Sequence, residues 1–185
     1  MVERELIPQP PPRRARAIFR SLLVAALAVA PAASFEATHA AVPNFVEVSP
    51  GIFRSGQPTP EGLRAVRKRG VRTVIVLREE MPEDERQEAA RLGLQLVHVP
   101  MDGTHMPSIE EVDKALDVIR DSSKQPVLVH CRHGEDRTGA VIAAYRVVVN
   151  GWDPAAAERE ARELRFNLGN LKEFLVRFQE HERRR

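Results

Sequence analysis

A cysteine and an arginine with five residues between them, Cys131 and Arg137, sit in the run His130-Cys131-Arg132-His133-Gly134-Glu135-Asp136-Arg137-Thr138-Gly139. The thiolate, not the thiol, is the nucleophile, and a helix N-terminus with a neighbouring cation favours it. A guanidinium fork grips two oxygens of a tetrahedral dianion at once, a task for which lysine is a poor substitute. Gly134 lets the intervening loop turn several backbone N–H groups toward one point. Nucleophile, fork and amide cradle together suit attack on a phosphoryl group, with a cysteinyl-phosphate dividing one difficult hydrolysis into two easier steps. Thr138 is placed to donate its hydroxyl to the sulfur as it leaves, and His130 to orient the loop from behind. Cys131 is also the only cysteine of the chain, so no intramolecular disulfide can consume it. A metal reading of His130, Cys131 and His133 lacks a fourth ligand and would quench the nucleophile. No metal or other cofactor is expected.

The elements around this run must deliver it to an edge where a ligand can bind. Pro126 to Val129 is a short apolar strand leading into it, and the largely apolar stretch from about Arg137 to Val149 is helical. Upstream, Phe45–Val48 and Ile52–Ser55 are predicted as short strands around the turn Pro50-Gly51. Thr59 caps a helix that has Pro60 at its first position and ends at Gly70. Residues 71–77 form a β-branched run suited to a strand buried on both faces. A charged surface helix follows over Pro82–Leu92, closed by Gly93, and Leu94–Val99 is the next strand. Ser108 and Glu111 make a capping box for a helix with Ile109, Val112, Leu116 and Ile119 on one face. Asp153 and Asn170 cap two last helices, the second turning Leu171, Phe174, Leu175 and Phe178 inward. Alternating strands and helices with short links predict a single α/β domain with a central, mostly parallel sheet flanked by helices. Ligands in such sheets bind beyond the C-terminal strand ends, where Cys131 falls.

The first forty residues have a different character. Arg13, Arg14, Arg16 and Arg20 precede the apolar run Leu22–Ala30 and a stretch of small residues, the pattern of an export signal. Residues 1–40 are therefore assigned to a signal peptide, cut after Ala40 or near Ala32, and residues 41–185 to the functional domain. The run is short of the ~20 residues that span a bilayer, so an uncleaved membrane anchor is the alternative. Export to the periplasm or outside the cell follows from the first assignment. Five arginines and three glutamates leave with the segment, which removes the formal charge of +2 and leaves a neutral domain. Nucleic acid is thus not an expected partner. No feature of the sequence sets the oligomeric state.

These residues carry a family resemblance. The loop HCRHGEDRTG together with the stretch from Gly51 to Glu79, GIFRSGQPTPEGLRAVRKRGVRTVIVLRE, resembles the cysteine-dependent protein tyrosine phosphatase superfamily. It is most similar to the plant-and-fungal atypical dual-specificity phosphatases and their bacterial relatives. The similar segments span roughly residues 46–149. The resemblance implies a dual-specificity phosphatase-like fold, Cys131 as nucleophile, Arg137 as phosphate clamp, and Arg132, His133, Gly134, Glu135 and Asp136 as the phosphate-binding loop. It also implies a general acid about 30 residues before the cysteine, for which Asp102, in Met101-Asp102-Gly103-Thr104-His105, is the choice. Asp136 is the rival, because members with a GxDRT loop carry an aspartate there.

The expected activity is hydrolysis of phosphate monoesters of the dual-specificity or tyrosine phosphatase type, with a phosphoprotein or small phosphoester as partner. An inositol-phosphate phosphatase of the same mechanism, acting on phytate-like compounds, is the first alternative. A phosphate-binding module without turnover is the second. Glu135 departs from the lysine often found there in relatives that handle inositol pyrophosphates, and an acidic residue should weaken polyanion binding. Arg54 and Arg78, each ending a strand, are candidates to line the pocket.

Overall fold

The structure is a computed structural model, and it describes residues 40–185. The segment assigned above to a signal or anchor lies outside the described residues except for its last one. Five strands, β1 (Val46–Ser49), β2 (Ile52–Ser55), β3 (Thr73–Val76), β4 (Gln95–His98) and β5 (Val127–His130), form one sheet in the order β1-β2-β5-β3-β4. Only β1 runs antiparallel to its neighbour. The strand that leads into Cys131 thus lies at the centre, between two parallel partners.

Six helices cover the sheet among the described residues: α1 (Pro60–Lys68), α2 (Glu83–Leu92), α3 (Ile109–Arg120), α4 (Asp136–Val148), α5 (Pro154–Glu163) and α6 (Leu171–Arg184). Their starts follow local chemistry. Thr59 accepts from the Gly62 amide, Ser108 and Glu111 bond reciprocally, Asp153 accepts from the amides of Ala155 and Ala156, and Asn170 accepts from Glu173. Gly93 ends α2 in the left-handed conformation.

Side chains of β2, β3 and β5 alternate between two cores. Ile52, Ile75, Val127 and Val129 face the larger one with α3, α4, α5 and α6. Phe53, Val74, Val76 and Leu128 face the smaller one with Leu63 and Val66 of α1 and Ala89 of α2. α2 departs from the expected charged surface helix, because Glu85, Glu88 and Ala89 are all buried. The segment before β1 is built into this smaller core: Val42 is fully buried, and the Ala41 carbonyl accepts from the Thr59 amide at 2.9 Å.

The strand register aligns the ends that matter. Ser55, His130, Val76 and His98 pair across the sheet as one row, the last residue of each of the four parallel strands. The chain leaves that row as Gly56-Gln57, Cys131, Leu77-Arg78 and Val99 through Asp102. These four exits meet at a single edge.

Candidate active site

Cys131 follows the central strand directly and α4 begins five residues later, so the loop between them must reverse direction inside a packed environment. It is pinned from behind, carbonyl by carbonyl. The Arg132 carbonyl accepts from the Gln57 amide at 3.1 Å, the His133 carbonyl from Asn44 Nδ2 at 2.9 Å, and the Gly134 carbonyl from Arg54 Nη2. A trans peptide unit points its C=O and N–H in opposite directions. Three outward carbonyls therefore turn the amides of His133, Gly134 and Glu135 inward. The Gly134 amide donates to Cys131 Sγ at 3.2 Å, a bond suited to a thiolate and to the phosphoryl oxygens around it.

Gly134 is required twice over. Its φ is +77°, and a Cβ there would meet the Ser55 carbonyl carbon at 2.4 Å. The loop then enters α4 with the Gly139 amide bonded to the Glu135 carbonyl at 2.8 Å. The free N–H groups and the dipole of a thirteen-residue helix thereby face the same point.

A cleft of about 350 Å³ opens on the sulfur, lined by Arg78, Glu79, Glu80, Gly103, Thr104, Cys131, Arg132, His133, Asp136 and Arg137. Arg137 lies against Gly103 and donates through Nη1 to the Met101 carbonyl at 3.3 Å. The clamp candidate thus touches the loop that carries the acid candidate. Asp136 accepts from the Asn167 amide through Oδ1 at 2.7 Å, and no hydrogen bond occupies its second oxygen among the described residues. Thr138 Oγ1 is buried and has no hydrogen-bond partner among the described residues, which leaves its proton uncommitted.

Asp102 stands beside the cleft without lining it. Its carboxylate accepts from the Thr104 hydroxyl and amide, both at 2.6 Å, and contacts His105 Nδ1 at 2.9 Å. The Thr104 hydroxyl and amide, with His105 adding to them, hold this exposed carboxyl well below the usual carboxylate range. A proton donor needs the opposite shift, so Asp102 in this arrangement is an acceptor committed to its own loop.

Two further placements differ from the sequence expectations, those of Arg54 and Glu135, and that of Arg78 agrees with them. Arg54 does not line the cleft: it is buried to 2% exposure beneath the loop, where burial lowers its pKa and its guanidinium holds the Gly134 carbonyl. Arg78 does line the cleft. The Glu135 side chain turns to Arg165 at 3.4 Å, outside the cleft, so the acidic influence expected of it falls instead to Glu79 and Glu80.

His130 is fully buried, and its Nε2 lies 2.8 Å from Glu85 Oε1. Glu85 was not legible as part of the site. A signal existed, because Ala89 and Leu92 follow it at i+4 and i+7, the spacing of an inward helix face.

Comparison with known proteins gives a consistent result. Residues 34–175 match the family described as DSP-PTPase phosphatase fused to NAD+ kinase. The dual specificity protein phosphatase TpbA of Pseudomonas aeruginosa is 32% identical over 121 residues, which are 63% of this chain and 52% of TpbA. The chain thus spans about half the length of that relative. The inositol diphosphatase DSP2 of rice is 36% identical over 109 residues, 56% of this chain and 53% of DSP2. Among solved structures, the catalytic core of the PP-IP phosphatase Siw14 from Saccharomyces cerevisiae superposes with a TM-score of 0.65 at 28% identity, covering 72% of this chain and 83% of that one. TpbA in complex with pTyr gives 0.57 at 29% identity, covering 64% and 72%.

Proposed function

The chain belongs to the DSP-PTPase family, and from that premise we propose that it is a phosphatase that hydrolyses phosphate monoesters through a cysteinyl-phosphate on Cys131. Sγ attacks phosphorus in line and the P–O bond to the leaving group breaks, its oxygen taking a proton from an acid at the cleft. Water then attacks the cysteinyl-phosphate, releasing orthophosphate and returning the thiolate, to which the Thr138 hydroxyl donates. Arg137 holds two equatorial oxygens, and the inward amides of His133, Gly134 and Glu135 take the remaining charge. The observation that carries this reading is the Gly134 N–H aimed at Cys131 Sγ at the floor of a cleft walled by Arg137.

Two aspartates compete for the acid role. Asp136 faces the cleft with one carboxylate oxygen unoccupied, whereas Asp102 serves only if its loop exchanges the Thr104 bonds for the substrate.

The substrate class follows from charge. Arg78, Arg132 and Arg137 line the cleft against Glu79, Glu80 and Asp136, a balance that suits phosphotyrosyl and phosphoseryl esters better than a dense polyanion. Relatives named inositol diphosphatases support inositol phosphates as the second reading. Export remains part of the proposal, with a cut after Ala40 leaving the buried Val42 inside the folded domain.

Incubation with p-nitrophenyl phosphate, with Cys131→Ser as control, tests the reaction. Thiol-dependent release of p-nitrophenol is expected, and its absence would favour a binding module. Phosphate release from phosphotyrosyl peptide, phosphoseryl peptide and phytate at equal concentration then ranks the substrates, the peptides being expected first.

A further inference from the structure

The cleft contains an arginine that the reaction above leaves unused. Arg78 follows β3, lines the cleft, and donates through Nη1 to Gln57 Oε1 at 3.2 Å. Gln57 donates through Nε2 to Glu85 Oε2 at 2.6 Å, and the other oxygen of Glu85 meets His130 Nε2 at 2.8 Å. His130 immediately precedes Cys131. Four side chains from four elements thus form one line, from the wall of the cleft, under the sheet edge, to the residue before the nucleophile. Gln57 is fixed at its backbone as well, since its amide donates to the Arg132 carbonyl.

Packing alone does not account for this line. Glu85 is 2% exposed and His130 fully buried. An ionised carboxylate in such a place is costly unless hydrogen bonds and opposite charge compensate it, and an apolar residue of similar volume would avoid the cost. Arg78 is among the charges that stabilise the Glu85 carboxylate. On the other side, a solvated arginine has much rotamer entropy to lose on fixing a ligand. The tether through Gln57 removes part of that loss before a ligand arrives.

We infer that Arg78 forms a second anion subsite, for a phosphate carried on the substrate apart from the scissile one, and that Glu85 is the positioning residue that holds it in register with the Cys131 loop through Gln57 and His130. The inference rests on the phosphatase reading above. Glu79 and Glu80 line the same cleft, which limits the subsite to one further phosphate and selects against more heavily phosphorylated molecules.

Calorimetric binding of non-hydrolysable phosphonates to the intact protein tests this without turnover. The probes are ethylphosphonate, with one anionic head, and butane bisphosphonate, with two. The two-headed probe is expected to bind about tenfold more tightly, the scale of one charge-assisted hydrogen-bonding partner. Arg78→Ala should bring that ratio close to one. Gln57→Ala and Glu85→Gln should lower it in the same direction although Arg78 is intact, and Gln57→Ala should add little in an Arg78→Ala background. A wild-type ratio near one, or one kept in Arg78→Ala, overturns the subsite. A wild-type ratio kept in Gln57→Ala overturns the positioning line, and this variant removes no buried charge should Glu85→Gln fail to fold. The p-nitrophenyl phosphate assay separately decides the phosphatase reading, so failure of one is not mistaken for failure of the other.

Discussion

Two loops meet at the cleft, and they are held in opposite ways. The loop from Cys131 to Asp136 is fastened by distant parts of the chain: Asn44, Arg54 and Gln57 each hold one of its carbonyls. The loop from Met101 to His105 is fastened mostly by itself, through bonds from Asp102 to residues two and three positions on. The first geometry cannot relax without disturbing the sheet edge. The second can rearrange at the cost of a few local hydrogen bonds. The phosphatase reaction proposed above would use that division with Asp102 as its donor, because the oxyanion cradle must be fixed before the reaction whereas a proton donor can arrive with the substrate.

The contrast can be broken most directly at the fixed loop. Arg137→Lys keeps the charge but loses the fork, and kcat/KM toward p-nitrophenyl phosphate should fall by roughly 10²–10³ with little change in the denaturation midpoint. Gly134→Ala should lower activity by about 10² and cost roughly 2–4 kcal/mol in urea unfolding, because the new Cβ has no space and the backbone no relaxed alternative.

At the adaptable loop the effect should depend on the leaving group. The variant lacking the true donor, Asp102→Asn or Asp136→Asn, should slow phenyl phosphate by about 10–10² while sparing p-nitrophenyl phosphate, and should lose the alkaline limb of the rate profile. If only Asp136→Asn does so, the proton comes from the fixed loop and the division of labour drawn above is wrong.

A smaller effect concerns pH. Burial pushes the Glu85 carboxyl up, but hydrogen bonds from His130 and Gln57 and the charge of Arg78 outweigh it and hold the group below its ordinary value. A carboxyl depressed by folding contributes stability above its unfolded pKa of about 4.3 and loses it as pH falls through the folded value. The urea midpoint should therefore drop on acidification below about pH 5, and Glu85→Gln should flatten that dependence. The smallest change is expected for Gly103→Ala. Its Cβ would meet the flexible end of Arg137 at 3.2 Å, so a few-fold rise in KM with stability within about 0.5 kcal/mol of the parent is expected.

Local chemistry was legible and distant pairing was not. The caps at Thr59, Ser108, Asp153 and Asn170, the β-branched run of β3 and the Cys131 to Arg137 spacing each act over a few residues, and the structure has each element where those signals put it. Arg54, by contrast, looks in sequence like any strand-end arginine. Its place beneath Gly134 depends on β2 lying next to β5, a neighbour more than seventy residues away in the chain. Glu85 was hidden for the same reason, in a helix whose composition suggests solvent and whose inward face is set by packing against the sheet. Asp102 was found as a residue, but its state is set by Thr104 and His105, and side-chain rotamers leave no trace in spacing.

The bond from Arg137 Nη1 to the Met101 carbonyl has a kinetic implication. A guanidinium that rests on the neighbouring loop gives up that bond when it turns onto a phosphoryl group, so in the reaction proposed above the grip of Arg137 would free the first residue of the stretch that bears Asp102 in the same event. Rapid-mixing traces should then show a single phase for ligand capture, with no separate, slower settling step after it.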